Sequence, residues 1–128
     1  MKVYIAAPYV RRQAAQWLRG TLETAGVEVT SRWLSELNNN DHAGAQMDLD
    51  DVDAADAIIL YNPPNFHREG GGRHVEFGYA IAQGKRLILV GTPSVIFHYL
   101  DSVEVVPDLQ ALIALVTAGS AVLAPLSQ

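Results

Sequence analysis

Short apolar runs alternate with stretches of helical period along this chain. Lys2-Val3-Tyr4-Ile5-Ala6 predicts a strand that ends at Ala7-Pro8-Tyr9. Over 11–25, Ala14, Trp17, Leu18, Leu22 and Ala25 share one helix face, and Gly26 fits the stop. A second short strand is expected at 27–31, a loop at 38–41, a helix at about 44–54 and a buried strand at 57–61. Residues 62–72 hold two Pro, two Asn and three consecutive Gly, the composition of a long loop. A helix follows over 73–83, stopped by Gly84, then a buried strand at 86–90 and a short fifth strand at 103–106. Pro107 opens an apolar helix to 118, and Gly119 onward is expected as a tail.

Strands alternating with helices imply a parallel sheet covered on both faces, which the near-continuous apolar strands also require. The expected architecture is one α/β domain over 1–128, a doubly wound parallel sheet of about five strands, flavodoxin- or Rossmann-like. Ligands in such sheets bind outside the carboxyl ends of the strands. That directs attention to 7–12, 31–48 and 62–76.

Composition narrows the chemistry. The 128 residues contain no Cys, which excludes disulfides, thiolate catalysis and Cys-based metal sites. Net charge is −5, against a surface for duplex nucleic acid. It is not evenly spread: six of the 14 acidic residues lie in 41–56, a stretch without Lys or Arg. The first residues lack a signal-peptide core, and no apolar run approaches the ~20 residues of a membrane span. The expectation is a soluble, cytoplasmic protein. His42, His67, His74 and His98 lack metal-ligand spacing, so no metal is expected.

Three features converge on the carboxyl edge. In Gly70-Gly71-Gly72-Arg73-His74-Val75-Glu76, glycines open a helix whose free N–H groups face the crevice. Glu76 is placed in or near the first turn, where the helix dipole favours its ionised form. It is then a base, a metal ligand or a nucleophile, or simply a residue that improves the helix end. The run Asp48 to Asp56 supplies carboxylates that repel at i, i+3 spacing. Most are expected on the solvated surface, with Asp56 at a turn. Tyr4, followed by Pro8, Arg11 and Arg12, is the third feature; core packing and solvated helix surface are the plain readings. Trp33 either stacks on a base or caps the core.

Val3-Tyr4-Ile5-Ala6-Ala7-Pro8, then Asp48 with Asp56 eight residues on, then Glu76-Phe77-Gly78-Tyr79-Ala80-Ile81-Ala82-Gln83-Gly84-Lys85-Arg86, resemble the nucleoside 2-deoxyribosyltransferase superfamily. That superfamily includes 2′-deoxynucleoside 5′-monophosphate N-glycosidases. The resemblance spans roughly residues 2 to 100. It implies that Glu76 is a nucleophile forming a deoxyribosyl ester, that Asp48 handles the proton of the departing base, and that Tyr4 orients the nucleophile. It implies shared sites in a homodimer or larger homo-oligomer, with His98 as counterpart of a polar residue lent by a neighbouring subunit. No cofactor is implied.

The chain departs from the pattern at Gly70, where transferases carry a sugar-binding Asp and the hydrolases a phosphate-binding Ser, and at Pro8, which replaces another Ser. Arg11, Arg12 and Arg73 are candidates to hold an anionic substrate. The 70–72 glycines are either a phosphate nest with Arg73 or a mobile lid. The expected partners are a small deoxynucleoside or deoxynucleotide and a free base, with neither duplex nucleic acid nor membrane. Transfer of the deoxyribosyl group to another base is the leading expectation and hydrolysis the alternative. Behind these stand a phosphoribohydrolase and a non-catalytic nucleotide sensor.

Overall fold

The structure is a computed structural model that describes residues 1–35, 42–64 and 71–126, with 118–126 described by backbone alone. The elements in chain order are β1 (Lys2–Ala6), α1 (Arg12–Thr24), β2 (Glu28–Val29), α2 (His42–Ala54), β3 (Ala57–Asn62), α3 (Gly72–Ala82), β4 (Arg86–Gly91), β5 (Val103–Val106) and α4 (Leu109–Leu126). All five strands are parallel in the order β2-β1-β3-β4-β5, the flavodoxin-like arrangement. The doubly wound expectation therefore holds.

β1 and β3 pair from Val3 with Ala57 to Ala6 with Leu60, and β3 and β4 from Ala57 with Arg86 to Asn62 with Gly91. The inner strands are apolar on both faces because helices cover both. α1 packs with α4, and α2 with α3. The core joins Val3, Ile5, Leu18, Leu22, Ile58, Leu60, Ile88, Leu112 and Val116 on and around the sheet. Among the described residues, no helix is long and apolar enough to cross a membrane.

Three features differ from expectation. β2 is two residues long, because side chains take over its partnership with β1 after Thr30 N–H donates to Val3 O at 2.8 Å. Ile5 N–H donates to Ser31 Oγ at 2.6 Å, and Trp33 Nε1–H to Ile5 O at 2.8 Å. Second, α4 continues through Gly119 to Leu126 instead of ending in a tail. Val122, Leu123 and Leu126 extend the apolar spacing, and one interior Gly costs only ~1 kcal/mol. Third, Trp17 is 53% exposed, whereas Ala15, Leu18 and Leu22 form the buried stripe of α1. The expected loop at 38–41 lies outside the described residues.

The end of β3 is pinned to the chain that leaves β4. Gly91 has φ +118°, and a Cβ there would stand 2.2 Å from Asn62 O. Thr92 N–H donates to that carbonyl at 3.0 Å, and Asn62 Nδ2 donates to Thr92 O at 2.6 Å and Ser94 Oγ at 3.0 Å. Gly91→Ala should lower unfolding stability by about 2–3 kcal/mol through strain and displaced hydrogen bonds. Urea unfolding reads this, and an unchanged midpoint contradicts the assignment.

Candidate active site

Tyr4, Asp48 and Glu76 come from β1, α2 and α3 and meet at one place. Tyr4 is fully buried, and its hydroxyl donates to Glu76 Oε2 at 2.5 Å. β1 fixes the height of the phenol because it is held on both edges, between β2 and β3. The carboxyl groups of Asp48 and Glu76 interact directly, each altering the other's proton affinity. As two carboxylates, neither has a proton to offer, and Asp48 Oδ1 is buried without a donor among the described residues. One proton held between them resolves this.

The electrostatics correct the expected role of the helix dipole. Glu76 is the fifth residue of α3 and lies beyond its first turn. Burial pushes its pKa up to about 8 and the Asp48 carboxyl raises it further, while the Tyr4 hydrogen bond opposes both. Asp48 is raised to about 6, first by burial and then by Asp51, against Glu76 and Arg32. The Tyr4 phenol is held far above its ordinary range by burial and by the carboxylates facing it. The two carboxyl values belong to a coupled pair, which at neutral pH holds about one proton.

The remaining candidates divide. Pro8 is buried just after β1, and its carbonyl accepts from Arg11 N–H at 2.8 Å; Arg11 itself is exposed. Arg12 Nη1 donates to Tyr9 Oη at 3.0 Å and its guanidinium lies 5.0 Å from the Tyr9 ring centre. Gly72 opens α3 with open space around it: a Cβ at Gly71 or Gly72 would meet nothing within 4 Å. Gly70 lies outside the described residues.

Arg73 does not line the mouth. It is 4% exposed, and its Nε donates to Asn62 Oδ1 at 3.4 Å, beneath the end of β3. His98 is 1% exposed within its own chain, with its ring beside those of His74 and Phe77. Its Nδ1 accepts from Ser94 N–H at 2.9 Å, which places its proton on Nε2. Burial, with His74 and Arg73 nearby, lowers its pKa to about 4. Trp33 is 7% exposed with its indole N–H bonded to β1, so it caps the core and is not an open stacking platform.

Among the acidic run, Asp56 lies at the bend before β3, as expected, and its side chain accepts from Lys2 N–H at 2.9 Å. Asp51 does not lie on the solvated surface. It is buried and ion-paired with Arg32 at 2.8 Å, a contact that sequence reasoning missed. The signal was present: Gly44, Asp48, Asp51, Val52 and Ala55 follow the helical period of a buried stripe. Asn62, which ties Arg73 to the turn after β4, was also missed. Among the described residues, no three His, Cys, Asp or Glu side chains group as metal ligands.

No family model and no curated protein matches the chain. Among solved structures, it is similar to the CMP N-glycosidase BcmB of Clostridium botulinum, with 22% identity, 91% of this chain and 98% of that one covered, and a TM-score of 0.64. It is also similar to the 2-deoxyribosyltransferase of Bacillus psychrosaccharolyticus, with 18% identity, 88% and 90% coverage and a TM-score of 0.68. The 2-deoxyribosyltransferase of Leishmania mexicana shares 25% identity over 73% of this chain and 65% of that one, at a TM-score of 0.53. The fold is that of the nucleoside 2-deoxyribosyltransferase superfamily. In this superfamily fold, the carboxyl pair sits where α2 and α3 pack together beside β1.

Burying Glu76 has a consequence for stability. Its folded pKa, about 8, exceeds its ordinary 4.5, so the unfolded chain releases the proton first. Fold stability therefore falls as pH rises from the ordinary value through about 8. Glu76→Gln removes this loss and should stabilise the fold at alkaline pH by about 1–3 kcal/mol, with little gain at pH 4. Thermal unfolding across pH checks this, and a gain independent of pH contradicts it.

Proposed function

We propose that the protein cleaves the N-glycosidic bond of a 2′-deoxynucleoside or its 5′-monophosphate and transfers the deoxyribosyl group to another base. The observation that carries this reading is the buried Tyr4 hydrogen bond to Glu76 with the Asp48 carboxyl against it. Breaking a C–N glycosidic bond builds positive charge on the sugar and negative charge on the base. One carboxylate must capture the sugar, and one carboxylic acid must protonate the leaving group. A pair that shares one proton at neutral pH supplies one of each.

In this reading, ionised Glu76 attacks C1′ and the bond from C1′ to the base nitrogen breaks. The bonding electrons leave with the base, which takes the proton from Asp48. Tyr4 holds Glu76 Oε2 and favours its ionised form, and the reacting state of the pair is the one with the shared proton on Asp48. In the second half, the nitrogen of an incoming base attacks C1′, Asp48 takes its proton and Glu76 is released. No step needs a cofactor. Open space over Gly71 and Gly72, with Arg11 exposed after β1, supports room for a sugar or its phosphate at that edge. In the proposed assembly, as in the superfamily resemblance, sites are shared between subunits of a homo-oligomer.

A second reading is hydrolysis, with water as acceptor. It is supported by similarity to the CMP N-glycosidase over nearly all of both chains. Incubation with a deoxynucleoside and a second free base separates the two: an exchanged nucleoside marks transfer, and free deoxyribose or its phosphate marks hydrolysis.

Trapping with a 2-fluoro-2-deoxy nucleoside analogue should add the sugar mass to Glu76, and Glu76→Ala should abolish the adduct. An adduct that persists in Glu76→Ala contradicts the nucleophile assignment. Asp48→Asn should slow cleavage by about 10²–10⁴-fold while leaving the fold intact. The wild-type rate should be bell-shaped, with limbs near pH 6 and pH 8. Below the lower limb both carboxyls hold protons and the nucleophile is lost. Above the upper limb both are ionised and the acid is lost.

A further inference from the structure

We propose that Arg32 is a positioning residue for the proton donor: by pairing with Asp51 it neutralises a second carboxylate held one helical turn from Asp48. This rests on the reading of Asp48 as the acid of the pair.

Asp51 follows Asp48 on the same face of α2, a spacing at which like charges repel. Its side chain is only 7% exposed, so water does little to screen it. Arg32 meets it at both oxygens. Arg32 Nη2 lies 2.8 Å from Asp51 Oδ1, Nε donates to Oδ1 at 2.9 Å, and the Arg32 backbone N–H donates to Oδ2 at 3.0 Å. A fork of this kind fixes geometry as well as charge.

The clamp is anchored to the strand that carries Tyr4. Arg32 opens the 3-10 turn Arg32–Leu34, which follows Ser31. Ser31 and Trp33 both bond to Ile5 of β1, and Thr30 Oγ1 donates to Asp51 O at 2.8 Å. The 3-10 turn and the residues before it thus tie α2 to β1 at Ile5, the neighbour of Tyr4.

Among the described residues, the charged and titratable groups that act on Asp48 are Asp51 of its own helix, Glu76 of α3, Tyr4 of β1 and Arg32 of the turn. Asp51 makes Asp48 hold its proton more firmly, and Arg32 works against this. Removing one member of the ion pair should therefore move Asp48 in a direction set by the charge left behind. Arg32→Gln removes the guanidinium and leaves the Asp51 charge, and Asp51→Asn removes that charge and its repulsion of Asp48.

The test is a carboxyl ¹³C NMR titration of the full chain and of Arg32→Gln, Arg32→Lys and Asp51→Asn, with thermal unfolding run beside it. Arg32→Gln should raise the lower titration step of the Asp48–Glu76 pair, near 6 in the unaltered chain, by about 0.5–1 pH unit. Asp51→Asn should lower it by a similar amount, and Arg32→Lys should stay close to the unaltered value. Steps that do not move in the folded variants, or that move in the same direction, overturn the proposal. A structural role alone lowers stability without opposite shifts. If Arg32→Gln fails to fold, the direction of the Asp51→Asn step decides. The titration needs no substrate, so failure of the glycosidic reading would show as absence of the Glu76 adduct with these shifts intact.

Discussion

Two carboxyl groups are buried against each other beside a tyrosine, and the surrounding structure follows from making that tolerable. Like charges in a low-dielectric interior cannot both persist, so Asp48 and Glu76 hold a proton between them. The Tyr4 hydroxyl donates to Glu76 from a strand buried on both faces. The parallel sheet brings that strand under the packing of α2 and α3. The site thus gains from the fold a rigid donor below and a second carboxyl beside.

The same constraint explains the charge distribution. The acidic segment 41–56 is not a uniform solvated face. Asp50 and Asp53 are exposed, while Asp51 is buried and matched by Arg32 and Asp48 is half-buried against Glu76. Asp53 meets Tyr79 of α3 and Gln83 just beyond it, and Lys85 Nζ donates to the backbone of Asp53 and Ala55, so the C-terminal end of α2 is fastened. Each inward carboxylate has an identifiable partner, and this is the condition under which buried charge is tolerated.

The fold was readable because the strands at 57–61 and 86–90 are continuous apolar runs separated by helical periods, a pattern with few topological solutions. The family resemblance pointed to Tyr4, Asp48 and Glu76, and the fold brings the three together. What local pattern could not supply was tertiary: that Arg73 turns inward to Asn62, that His98 is enclosed by its own loop, and that Trp33 spends its indole N–H on Ile5. Glu76 was expected to stay ionised at a helix start. Its burial, legible only once α2 packs on α3, reverses that expectation and makes the pair, not either residue, the chemical unit.

The central claim is the proton count of that pair. Neutron diffraction on deuterium-exchanged crystals at pH 7 tests it most directly. One deuteron between Asp48 and Glu76, with the Tyr4 hydroxyl deuteron directed at Glu76 Oε2, is the result expected. Two bare carboxylates, or a deuteron on each, would contradict the account.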